Sequence, residues 1–150
     1  MRFTAILLIL STLVFLPQCK KKVDAEEEMA SAPKQDDPLQ NKGIGPVKSV
    51  TLGPLDAGMA AKGQKIYETK CSACHKMDED VVGPALRDVT KRRSPEWIMN
   101  MIVNTNEMVE KDPIAKRMVA QTFQKMTFQD VDEPGARSIL EYFRQVDGVQ

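Results

Sequence analysis

Two cysteines three positions apart, with a histidine directly behind them, constrain this chain more than any other feature: Cys71-Ser72-Ala73-Cys74-His75. Thiols at that spacing can reach two vinyl groups on one edge of a porphyrin and bond to them as thioethers. The following imidazole then falls beneath the central iron as its ligand. A C-x-x-C-H run is accordingly the attachment signature of c-type haem. His75 is the single histidine of the chain, so no second imidazole competes for the role. Two other chemistries use a C-x-x-C pair. A structural zinc site wants about four N/S ligands, usually in two separated pairs, and this chain has no second Cys/His pair. A thioredoxin-like redox couple is expected near a βαβ pattern, and no strand alternation follows Cys74. The residues favour one covalent haem.

The third cysteine has a different setting. Residues 1–19 read as an export signal, in which Arg2 supplies the positive start and Ile6 to Leu16 form an apolar run broken only by Ser11 and Thr12. The run is shorter than the about 20 residues a membrane helix needs and fits the core of a signal peptide. Leu16-Pro17-Gln18-Cys19 then looks like a bacterial lipobox, whose cysteine is lipidated and becomes the mature N-terminus. Gln18 stands where a small residue is usual. An ordinary cleaved signal and an uncleaved anchor are the alternatives. Acyl chains on Cys19 would hold the protein at a membrane surface. With Cys71 and Cys74 given to haem and Cys19 to lipid, no cysteine is left for a disulfide, although export would permit one.

Residues 20–56 read as a flexible tether. They open on Lys20-Lys21-Lys22 and Glu26-Glu27-Glu28 and pass through Pro33, Pro38, Gly43, Gly45, Pro46 and Pro54. Apolar residues are sparse and show no helical period; the Val47 to Leu55 end is expected to touch the domain. Residues 57–150 form that domain. The chain carries 21 Lys+Arg and 21 Asp+Glu, and the balance persists within the domain, which gives nucleic-acid binding no support. So small a domain is marginal on its own side chains, and a large apolar cofactor would supply much of the missing core.

The spacing predicts four helices and no strands, an all-α domain. The first runs from about Ala57 to Lys70 into the haem motif, with Ala60, Gly63, Ile66 and Tyr67 on one face. Gly63 is a weak helix former, so its place in mid-helix points to a close crossing by another helix. The second opens at Ser94-Pro95 and carries Trp97, Ile98, Met101 and Ile102. A third begins at Asp112-Pro113, and the last near Asp132-Glu133-Pro134, presenting Ala136, Ile139, Leu140, Phe143 and Val146.

In this order the features resemble class I cytochromes c, over roughly residues 57–148. Gly63 and Tyr67 occupy the places of that family's glycine and aromatic ahead of the first haem cysteine. Tyr142-Phe143 match the aromatic contact between its first and last helices. Gly83-Pro84-Ala85-Leu86 match its Gly-Pro-x-Leu segment, where the resemblance implies that the Pro84 carbonyl accepts from the histidine's other ring nitrogen. Such a bond fixes the tautomer and enriches the ligand. Without the family, Gly83-Pro84 is a turn.

The resemblance also implies a methionine thioether on the far side of the iron, which raises the reduction potential. Met126 is best placed, in a loop before the last helix, with Phe123 and Phe128 nearby to shield a haem face. Thr127 stands where many relatives have proline. Met99, Met101 and Met118 sit within helices, where methionine is adaptable filler, and Met108 follows the second helix. Trp97 reads as core, or as a donor to a haem propionate through its indole N–H. Lys91-Arg92-Arg93 could meet propionates or an acidic partner, or remain a solvated run.

The expected function is electron transfer by a monohaem carrier with His75 and Met126 as axial ligands, Cys71 and Cys74 as thioethers and Pro84 behind the histidine. The expected partners are redox proteins of a respiratory complex or a terminal reductase, with no nucleic acid and no small-molecule substrate. The expected location is the bacterial periplasm, on a membrane through Cys19. The rivals are a fixed haem-bearing subunit of an oxidase or reductase, and a haem enzyme or gas sensor with an open distal site.

Overall fold

The structure is a computed structural model that describes residues 37–149. Within them the chain is all-α, with six helices and no strand. These are α1 (Ala57–Lys70), α2 (Val89–Arg92), α3 (Pro95–Val103), α4 (Thr105–Lys111), α5 (Pro113–Thr122) and α6 (Glu133–Val146). The starts follow the capping chemistry. Asp56, Ser94, Asp112 and Asp132 each accept a backbone N–H of the first turn, and prolines open α3, α5 and α6.

Two helices exceed the expected four. The short α2 is too brief to show a period. It is fixed from outside, because Asp147 accepts the N–H of Asp88 at 2.7 Å and that of Thr90 at 3.0 Å. The polar α4 lacks a side-chain cap bond and is held by burial of Thr105, Met108 and Val109.

The scaffold is the crossing of α1 over α6, the most extensive helix contact. Gly63 makes it possible. A Cβ there would overlap the Ser138 carbonyl and stand 2.8 Å from the Ile139 nitrogen, both backbone atoms of α6. Tyr67 meets Tyr142 at 5.5 Å and Phe143 edge-on at 6.1 Å between ring centroids. Ile139, Leu140 and Phe143 extend the core towards Trp97, Ile98 and Ile102 of α3.

The end of the segment read as a tether is bonded to the domain, from Asn41 onwards. Residues 41–56 lie as a strap along α3 and α6, held by Val47 in the core and by side chains that bond its backbone. Asn100 accepts the Val47 N–H at 3.0 Å and donates to the Lys42 and Val47 carbonyls at 2.9 Å each. Glu96 accepts the Val50 N–H at 3.1 Å. Farther along, Arg144 donates to the Gly53 carbonyl at 2.9 Å, and Glu141 accepts the Asp56 N–H at 2.9 Å. A hydropathy pattern carries no trace of such polar pairings.

Candidate cofactor site

The end of α1 shapes the site. Beyond Lys70 the N–H groups of Cys71 and Ser72 both bond the Tyr67 carbonyl at 2.9 Å, and those of Cys74 and His75 bond the Cys71 carbonyl at 3.1 and 2.9 Å. This tight winding turns Cys71, Cys74 and His75 onto one cavity of about 210 Å³. Tyr67 ties the motif to its own helix by donating its hydroxyl to the His75 carbonyl at 2.7 Å.

The facing loop fixes the ring. His75 Nδ1 lies 2.9 Å from the Pro84 carbonyl oxygen. A carbonyl can only accept, so Nδ1 carries the proton, and in the neutral imidazole this leaves the lone pair on Nε2. The N–H of Gly83 closes the loop on the Cys74 carbonyl at 2.8 Å. Gly83 has a second use, because a Cβ on it would stand 2.7 Å from His75 Nδ1 and 2.8 Å from Nε2. The backbone packs flat against the imidazole, which only glycine allows.

Across the cavity the walls are apolar, built from Leu86, Trp97, Ile98, Ile102, Ile139 and Phe143. Met126 is half-buried and lines the same cavity, as do Met101 of α3 and Met118 of α5. The Met118 sulfur takes a contact from Arg93 Nη2 at 3.8 Å. Met99 and Met108 are buried elsewhere in the core, and Met108 Sδ accepts the strap's Ile44 N–H at 3.0 Å. Arg92 and Arg93 reach the cavity, and the Arg93 guanidinium stands 5.2 Å from the Trp97 ring centroid. Lys91 instead pairs with Asp88 at 2.7 Å on the surface.

Two expectations are corrected. Trp97 does line the cavity, but its indole N–H is donated inward to Asp112 Oδ1 at 3.1 Å and is not offered to a propionate. Phe123 and Phe128 are not among the residues that line the cavity: they are 86% and 48% exposed. Phe123 is the C-cap of α5, in the left-handed region with φ 55. Cys19 and the export signal lie outside the described residues.

The rival chemistries of the motif find little here. Burial pushes the Cys71 thiol up, and the neighbouring Lys70 charge only partly opposes it. A redox dithiol needs a lowered thiol. Among the described residues no group of three or more His, Cys, Asp or Glu side chains could hold a metal ion. Sequence reading missed Gly83 as a space-giving residue, and missed Asp112 and Asn41 behind the wall. Polar partners distant in sequence leave no local signal; for Gly83 the one clue was its place in the Gly-Pro segment.

These residues fit a covalently attached haem. Two thiols and an oriented imidazole share one apolar cavity with methionine sulfurs, and Gly83 leaves the space in which the ring can sit. Residues 60–147 match the family model for cytochrome c. Comparison with curated proteins finds no match. Among solved structures, the chain is 48% identical to a cytochrome c from Rhodothermus marinus, covering 71% of this chain and 92% of that one, with TM-score 0.68. An engineered cytochrome c from the same organism, Rma TDE, is also 48% identical over 69% of this chain and 91% of its own, with TM-score 0.67. The same engineered protein bound to a carbene intermediate matches at 48% identity over 69% and 91%, with TM-score 0.65.

Proposed function

The chain belongs to the cytochrome c family of haem-based electron-transfer proteins, with haem c as its covalent cofactor, and from there we propose a carrier with His75 and Met126 as axial ligands, serving a periplasmic respiratory chain. One observation carries the ligand assignment: His75, its Nδ1 proton given to Pro84, and Met126 line the same apolar cavity.

When bound, the haem supplies a one-electron Fe(II)/Fe(III) couple. Cys71 and Cys74 hold it by thioethers. The Pro84 carbonyl keeps the His75 proton on Nδ1 and so directs the Nε2 lone pair to the metal. Met126 is preferred over Met101 and Met118 because it sits in a loop, free of helix geometry, and because Arg93 already occupies the Met118 sulfur. A thioether there would raise the potential and would leave no open iron position for a substrate. The apolar walls exclude water. Partners are redox proteins, met in the small, weak encounters that suit rapid turnover. Lipidation at Cys19 would confine those encounters to a membrane surface.

The rival with an open distal site draws on the engineered relative bound to a carbene intermediate. Optical spectroscopy separates the two. The oxidised protein should be low-spin and show the weak far-red band of iron–thioether ligation, and Met126→Ala should abolish the band. A high-spin oxidised spectrum, or ready CO binding by the ferrous protein at neutral pH, would overturn the carrier reading. Membrane fractionation of Cys19→Ser tests the anchor, and a variant that stays with the membrane refutes lipidation.

A further inference from the structure

Asp112 is a fully buried acidic side chain that electron transfer as described leaves without a role. Its Oδ1 accepts the Trp97 indole N–H at 3.1 Å and the backbone N–H groups of Ile114 and Ala115 at 3.0 and 2.8 Å. Its Oδ2 accepts the Asn41 amide at 2.6 Å. All four partners are donors. An acceptor-only carboxylate matches such a set of donors at both of its oxygens. All four donors are also neutral, so they solvate the charge without cancelling it.

Capping does not explain the acid. Asparagine and serine cap helices about as well as aspartate, and neither carries the cost of a buried charge. Position supplies a reason. Trp97 and Ala115, both bonded to the carboxylate, line the cofactor cavity, so the charge lies one side chain behind that wall. In a weakly polarisable interior a fixed charge acts over such a distance far more strongly than in water. The Arg93 guanidinium, across the Trp97 ring, offsets part of this field.

We propose that Asp112 sets the potential of the cofactor: its buried carboxylate favours the oxidised iron and holds the reduction potential below the value that the ligands alone would give. On oxidation one electron leaves Fe(II) for the redox partner and the site gains one positive charge. No proton moves in this step. The strap takes part, since Asn41 is the donor that fixes Oδ2. The inference rests on the haem reading of the cavity.

The test is spectroelectrochemical titration of the holoprotein. Asp112→Asn keeps a capping acceptor on α5 and should shift the midpoint potential upwards with the far-red band intact. Adding Asn41→Asp returns a negative charge to the same buried pair and should bring the potential back down. The sign is decisive, because loss of a thioether ligand lowers the potential. A fall in potential together with loss of the band would reduce Asp112 to a support for the ligand loop and overturn the proposal. An unchanged potential would also overturn it. If the asparagine variant yields no holoprotein, Asp112→Ser repeats the test with a shorter neutral cap. Failure of the carrier reading would show in the unmodified protein, as a high-spin spectrum without the far-red band.

Discussion

Gly83→Ala is the sharpest probe of how this chain prepares its histidine. The new Cβ would stand 2.7 and 2.8 Å from the two ring nitrogens of His75, against a comfortable separation of about 3.5–4.0 Å. The ring or the backbone must therefore give by about 1 Å. Neither is free. The ring is bonded to the Pro84 carbonyl at 2.9 Å, and the Gly83 N–H to the Cys74 carbonyl at 2.8 Å. Overpacking of this kind costs about 1–3 kcal/mol, and surrender of one of the two hydrogen bonds adds about 1 kcal/mol. The sum is about 2–4 kcal/mol. Denaturant unfolding of the holoprotein, followed by haem absorbance and by circular dichroism, reads it as a lower midpoint at unchanged slope. Gly53→Ala is the control, because a Cβ there meets nothing within 4 Å. The Gly83 variant should also weaken the Nδ1–Pro84 bond, leave the imidazole less electron-rich and raise the potential. A Gly83→Ala protein within about 0.5 kcal/mol of the control, the scatter of ordinary surface substitutions, would refute this packing argument.

Two further predictions concern the scaffold. Gly63→Ala should destabilise the holoprotein by about 1–3 kcal/mol, despite a gain in helix propensity of about 1 kcal/mol, because the Cβ would meet α6 backbone; a stabilised variant would show that the helices separate easily. Glu141 is pushed up by burial, but the Asp56 N–H and the Arg137 and Arg144 guanidiniums outweigh that and hold its carboxyl below the usual range. A lowered folded value means that its contribution is complete above the ordinary glutamate pKa of about 4.3 and disappears as pH falls through the folded value. Glu141→Gln should therefore cost about 3–5 kcal/mol at neutral pH by leaving buried Arg144 uncompensated, and should flatten the acid limb of stability against pH; parallel curves for the two proteins would contradict this.

The parts legible in the sequence are those that short-range chemistry writes. Asp56, Ser94, Asp112 and Asp132 announce helix starts because a cap is a bond within one turn. The haem motif is legible because two thioethers and an iron bond demand fixed spacing, and Gly63 because a glycine in mid-helix needs a reason. What stays hidden is tertiary and polar. Asn41 and Asp112 are 71 residues apart, and no pattern joins them. Residues 41–56 look like a tether because their anchors are Asn100, Glu96, Glu141 and Arg144, side chains that composition counts as surface. Phe123 stands 86% exposed although its hydrophobicity suggested a shield for the cavity, because hydrophobicity reports what a side chain prefers and not where the chain places it.

The two sides of the cavity are built to different stiffness. On the histidine side the loop from Cys74 to Arg87 is cross-tied throughout: the Gly83 N–H meets the Cys74 carbonyl, the Leu86 N–H the Lys76 carbonyl at 3.0 Å, and the Arg87 N–H the Met77 carbonyl at 2.8 Å. Arg92 adds bonds to the Ala85 and Arg87 carbonyls at 3.1 and 2.9 Å. On the Met126 side the loop between α5 and α6 bonds largely to itself, through Gln129 on Thr127 and Gln124 on Thr122. Its ties to the rest of the domain are an ion pair of Lys125 with Glu110 of α4 at 3.6 Å and Lys70, which donates to the Gln129 and Asp130 carbonyls at 3.0 Å each from the last turn of α1. Lys70 immediately precedes Cys71, so one of the ties that hold the methionine loop is continuous with the covalent attachment point. The imidazole is thus held by bonds of the chain itself, whereas the loop that carries Met126 has few bonds beyond its own residues. Local unfolding draws on segments with few bonds to the core, so the Met126 loop opens first under heat or denaturant, while the histidine side persists until the α1–α6 crossing itself is lost.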